Sequence, residues 1–142
     1  MEILADLLMA SSEDAPAIIA SDYPLGSYRG VNIDGLDPLM LVALHVSCTG
    51  KEFEQLAEQY LPVAQASENG PWLVQFPADL TEYLASLQPP DYPAAAESWT
   101  AVNMPAGVEL SNQAGEKFLG QMGYLAQTAV FDKKVLFLYV YS

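Results

Sequence analysis

Apolar residues recur along the 142-residue chain in two ways, at intervals of three and four or in unbroken runs, with proline and glycine between them. The first spacing marks an amphipathic helix, and a short β-branched or aromatic run bounded by turn residues marks a strand. In EILADLLMA, residues 2–10, Ile3, Leu4, Leu7 and Leu8 share one helical face, which predicts an opening helix. A short helix follows from about Asp14 to Ala20, with Pro16 early, where its missing N–H costs nothing. DYPLGSYRGVNIDG reads as irregular. Asp37 then caps a helix that has Pro38 at its first position and Gly50 as its stop. That helix, PLMLVALHVSC, is apolar nearly all round, and such helices are buried.

The second half alternates in type. KEFEQLAEQYL turns Phe53, Leu56, Ala57, Tyr60 and Leu61 inward as an amphipathic helix, and Trp72–Phe76 reads as a short strand closed by Pro77. ADLTEYLASL is helical, and Asp91 and Pro93 start another helix through Trp99. After a loop, Ser111 or Asn112 caps the longest helix, through about Phe131. Val135–Tyr141 closes the chain as a strand, apolar on both faces, with Lys133 and Lys134 as charged guards beside it. The expected architecture is a mainly α (α+β) domain over residues 1–142. It has five to six short helices and a small two-stranded sheet from Trp72–Phe76 and Val135–Tyr141.

Composition narrows the function classes. Apolar residues form 51% of the chain, too many for disorder, yet no run reaches the roughly 20 needed to span a bilayer. The N-terminus carries Glu2 and Asp6 and no positive start, unlike a secretory signal. With one cysteine and no internal disulfide, a cytoplasmic protein is expected. Eighteen acids against five bases give a formal charge of −13. Phosphate backbones and anionic membranes need clustered Lys and Arg. Here the bases are only Arg29, Lys51, Lys117, Lys133 and Lys134, so neither is an expected partner. Such a field keeps a protein soluble, and it also steers a basic protein toward it.

Candidate chemistry starts at His45 and Cys48, one helical turn apart and unique in the chain. A thiolate with an imidazole base is a nucleophilic pair, but an apolar helix raises a thiol pKa and no cation lies nearby, so both are expected to be structural. One His and one Cys do not make a transition-metal site. GVNIDGLDPLML places Gly30 and Leu41 where a calcium loop needs Asp and Glu, so Asp34 reads as a turn residue and Asp37 as a cap. No phosphate-binding loop or nucleophile elbow is present. No metal or cofactor is expected.

Tyr23, Tyr28, Arg29, Trp72 and Trp99 stand near loops and belong to types enriched at interface hot spots. Core packing and, for Arg29, a neighbouring carboxylate are their ordinary roles. The leading expectation is a small acidic, non-enzymatic protein–protein interaction domain that binds a basic partner as an inhibitor or immunity-type protein would. The alternative is a small enzyme or small-molecule binder with a cleft near Tyr23–Asp37 and His45. A homodimer built through Val135–Tyr141 is a further possibility.

Overall fold

A computed structural model describes residues 3–141. The chain does not open with a helix. Leu4–Ala10 is a strand, β1, buried along nearly its whole length. Its apolar run fits a helix face by spacing, but it also suits a strand covered on both faces, and spacing cannot separate the two. Tertiary pairing decides the matter: β1 lies beside the C-terminal strand along seven residue pairs, Leu4 opposite Tyr141 through Ala10 opposite Val135.

This overturns the expected two-stranded sheet. Within the described residues the sheet has five strands, all antiparallel, in the order β2-β1-β5-β4-β3. The others are β2 (Arg29–Asn32), β3 (Ala64–Gln65), β4 (Trp72–Gln75) and β5 (Val135–Tyr141). The expected pairing of β4 with β5 is present, with Val74 opposite Leu138. The edge strands β2 and β3 are short and polar, without the hydrophobic run that marks a strand in sequence. The fold is α+β, and β5 has a neighbour on each side, so it offers no free edge to a second copy.

Among the described residues six α-helices complete the domain: α1 (Ala15–Ala20), α2 (Pro38–Thr49), α3 (Phe53–Ala57), α4 (Ala78–Ser86), α5 (Tyr92–Thr100) and α6 (Asn112–Asp132). The α2 boundaries follow from local chemistry. The Asp37 carboxylate accepts the Leu39 N–H at 2.7 Å, Pro38 sits at the first turn, and Gly50 takes φ 73° after the last. Ser111 caps α6 in the same way, its hydroxyl accepting the Ala114 N–H at 3.1 Å.

Strand alternation gives the sheet two unequal faces. Ala5, Leu7, Leu136, Leu138, Val140 and Val74 point into the large core, where α2, α4, α5 and α6 pack. Leu8, Ala10, Leu73, Phe137 and Tyr139 point the other way, into a smaller cluster with Ala15 and Ile18 of α1. One six-residue helix cannot cover the whole of that second face. Asp34 secures the first turn of β1, its Oδ1 accepting the Ala5 N–H at 2.8 Å where a strand carbonyl would otherwise serve.

Candidate functional site

His45 lies on α2, 0% exposed, with both ring nitrogens engaged. Nε2 is 2.8 Å from Asp79 Oδ2, and Nδ1 is 2.9 Å from the Tyr60 hydroxyl. A carboxylate only accepts, so Nε2 carries the hydrogen. In the neutral ring Nδ1 is then the acceptor and Tyr60 donates to it. The result is a hydrogen-bonded chain from solvent, where the Asp79 side chain is 55% exposed, through a buried imidazole to a buried phenol. Burial alone would raise Asp79, but the hydrogen bond from His45, joined by the ring's charge when it is protonated, holds it below the usual carboxylate value. Tyr60 is pushed well above a normal phenol by burial, with Asp79 and Cys48 adding to the effect. It stays protonated and donates.

The thiol does not join this chain. Cys48 Sγ turns to the backbone carbonyl of His45, 3.4 Å away, rather than to the ring. Burial, then the charge of Asp79, pushes its pKa up. The His45–Cys48 nucleophilic pair is therefore not assembled. Beside Tyr60 lies an apolar pocket of about 290 Å³, lined also by Pro38, Pro62, Trp72, Val74 and Val140. Trp72 reaches this pocket half-buried, whereas Trp99 is buried in the core with its indole N–H donating to the Met40 carbonyl at 2.7 Å. Trp99 is thus closed to any partner.

A second cavity opens on the thinly covered face of the sheet. It measures about 310 Å³ and is bounded by Asp6, Asp22, Tyr23, Asn32, Tyr139 and Tyr141, among others. Asp6 is a carboxylate 3% exposed, set in the middle of β1. The Asn32 amide donates to its Oδ1 at 3.0 Å, and also to Asp34 Oδ1 at 3.0 Å. Burial raises the Asp6 pKa, the Asn32 bond opposes this, and the charge of Asp34 adds to it. The Tyr139 and Tyr141 rings stand 5.4 Å apart, and Tyr23, 66% exposed, flanks the opening. No group of three or more His, Cys, Asp or Glu able to hold a metal occurs among the described residues.

Of the residues singled out from sequence, Tyr23 lines this cleft, and Tyr28 packs half-buried against the small core nearby. His45 does not line this cleft. Arg29 does not meet a carboxylate. Its Nη2 donates to the Tyr124 hydroxyl at 3.2 Å, with the guanidinium 5.8 Å from that ring's centre. Sequence reasoning missed Asp6, Asp22, Tyr139 and Tyr141 as one group, and Tyr60 and Asp79 as the partners of His45. Asp6 was the readable signal, a lone charge inside LADLLMA.

No protein-family model matches this chain, and no curated protein matches it. The crystal structure of a protein of unknown function, YfbM from Escherichia coli, aligns over 96% of this chain and 99% of its own, at 14% identity and a TM-score of 0.48. A likeness of that size carries no inference about this chain. None of its described helices is long and apolar enough to cross a membrane.

Proposed function

We propose that this is a non-enzymatic interaction domain that binds a basic protein partner, inhibitor-like or immunity-like, and takes a lysine or arginine side chain into the cleft between Asp6 and Tyr23. The observation that carries the reading is the cleft's composition: a buried and an exposed carboxylate, Asp6 and Asp22, walled by three tyrosines. A cation gains from both kinds of neighbour, the carboxylates by charge and the phenol rings by their negative faces. Asp6 is poorly solvated where it stands, so an arriving ammonium or guanidinium supplies what water cannot. The surrounding charge of −13 steers such a partner inward.

The test is a pair of titrations. A capped glycine peptide bearing one lysine is compared with its glutamine counterpart, on the native chain and on a variant with Asp22→Asn and Tyr23→Ala. Binding of the lysine peptide alone, weakened about tenfold or more in the double variant and by added salt, supports the reading. Equal binding of the two peptides sinks it.

A second reading has one observation in its favour. Tyr60 joins a hydrogen-bonded imidazole–carboxylate pair to an apolar pocket, an arrangement suited to a small-molecule site. That reading expects a ligand whose binding changes with Tyr60→Phe and is indifferent to Asp22→Asn. A ligand that responds the other way round belongs to the cleft.

A further inference from the structure

The outer edge of the sheet holds a separate site. β2 is an edge strand, paired with β1 only. Between it and α6 runs a groove of about 350 Å³, lined by Arg29, Gly30, Val31, Gln121, Tyr124 and Leu125. Three features of this groove are unfinished. The backbone is the first. The Asn32 carbonyl faces away from β1, since it accepts the Gln121 side-chain N–H at 3.4 Å. In an antiparallel pair alternate residues turn both backbone groups the same way, so Gly30 also presents its N–H and C=O outward.

Gln121 is the second. Its Oε1 is buried without a hydrogen-bond partner, the one such side-chain atom among the described residues. Rotating the amide by 180° would set two oxygens against each other at Asn32, so this orientation is the favoured one and it leaves the oxygen without a donor. Arg29 is the third. It is the only arginine of the chain, and among the described residues its side chain meets a phenol and no carboxylate. One of its five N–H groups is used in that contact, and the rest of the fork remains for an anion.

We propose that this groove binds the C-terminal end of an extended peptide, which adds to β2 as a sixth strand. The terminal carboxylate takes the Arg29 fork, Gly30 supplies the strand bonds, and the Gln121 side chain turns its Oε1 out of its buried position to accept a backbone N–H of the peptide. The terminal side chain, apolar and of about leucine size, lies against Val31 and Leu125. Edge-strand addition of this kind draws affinity from main-chain bonds and specificity from the pockets beside them. The site is distinct from the cleft in the proposed function and stands or falls without it.

The experiment uses the full chain at 0.15 M salt, where its own negative field is screened beyond about 8 Å. The probe is acetyl-Ala-Ala-Leu with a free carboxylate, compared with its C-terminal amide and with acetyl-leucine. Calorimetry gives affinity and amide NMR gives the site. The free acid is expected to bind at least about tenfold more tightly than the amide, as a charge-assisted pair would dictate. It moves the Gly30 and Asn32 resonances. Arg29→Gln removes the preference for the acid, and Arg29→Lys restores part of it. Arg29 is exposed and Gln121 half-buried, and an unchanged melting temperature certifies the variants. Gln121→Leu weakens both peptides. Equal affinity for acid and amide, unmoved Gly30 and Asn32 resonances, or an indifferent Arg29→Gln each overturns the proposal. Acetyl-leucine binding as tightly as the tripeptide overturns strand addition.

Discussion

The two faces of the sheet carry polar groups of the same kinds and treat them differently. On the helix-covered face His45 and Trp99 are buried among apolar side chains, and each of their ring N–H groups has a partner. On the face covered by α1, Asp6 is as deeply placed, yet its carboxylate is held only by an amide donor shared with Asp34 and by the Tyr141 hydroxyl. Burial cost is common to both faces. What differs is whether the cover is thick enough to supply partners. Where it is, a buried polar group is structural; where one short helix and a loop form the cover, the same burial leaves a charge in want of a cation.

The largest effect expected is on the covered face. Trp99→Ala removes the largest fully buried side chain and takes the indole donor from the Met40 carbonyl. Loss of about 3–5 kcal/mol is expected, measured by urea unfolding. A loss under about 1 kcal/mol would mean this core is loosely packed. His45→Ala follows. It opens a cavity and strands the Tyr60 hydroxyl, for about 2–4 kcal/mol by the same measurement. Tyr60→Phe strands only Nδ1 and should cost less.

The sharper contrast is in sign. Asp79 has its folded pKa lowered from 3.8, so it contributes stability that is present above that value and lost as pH falls through the depressed one. Asp6 has its folded pKa raised from 3.8, so its burden is absent at lower pH and grows as pH rises from that value through the raised one. Asp6→Asn keeps an acceptor for the Asn32 amide and removes the charge. It should stabilise the protein at pH 7 by about 0.5 kcal/mol and erase that falling slope. Asp79→Asn should destabilise and remove the acid-side loss. Unfolding curves from pH 3 to 7 on both variants test this. If the two changes act with the same sign, the two faces do not differ as described.

Much of this was legible in the chain, and the gaps have physical causes. The helix starts at Pro38 and Asn112 were readable because Asp37 and Ser111 satisfy backbone groups next to them in sequence. β5 was readable from its β-branched and aromatic content. β1 was not, because Ile3, Leu4, Leu7 and Leu8 satisfy both a helical face and a doubly covered strand, and only the distant β5 selects between them. His45 and Cys48 were the chemistry that stood out in the sequence, yet the partners of the histidine, Tyr60 and Asp79, lie 15 and 34 residues from it. Pairing at that separation leaves no local spacing to read. The cleft was half visible: Tyr23 stood out as a loop aromatic, whereas Tyr139 and Tyr141 were absorbed into a strand read as apolar on both faces.

The smallest effect tests whether the covered face is closed all the way to its rim. Cys48 is half-buried at the end of α2, so access alone would leave it partly reactive. Its chemistry is the stronger restraint. Its sulfur is turned to the His45 carbonyl, and burial with the Asp79 charge raises its pKa above 9.0. The thiolate is the reacting species, so the raised pKa leaves less of it at pH 8 than a free cysteine has, before access is counted. Modification by an aromatic disulfide in the folded protein should therefore run at least about tenfold slower than in a free cysteine peptide. Asp79→Asn removes the second cause of the shift and should accelerate it modestly, without reaching the peptide rate. Labelling at the peptide rate in the native fold would mean that the end of α2 opens readily. The full hydrogen-bonding of His45 would then describe a static arrangement only, and the contrast between the faces would shrink to one of thickness.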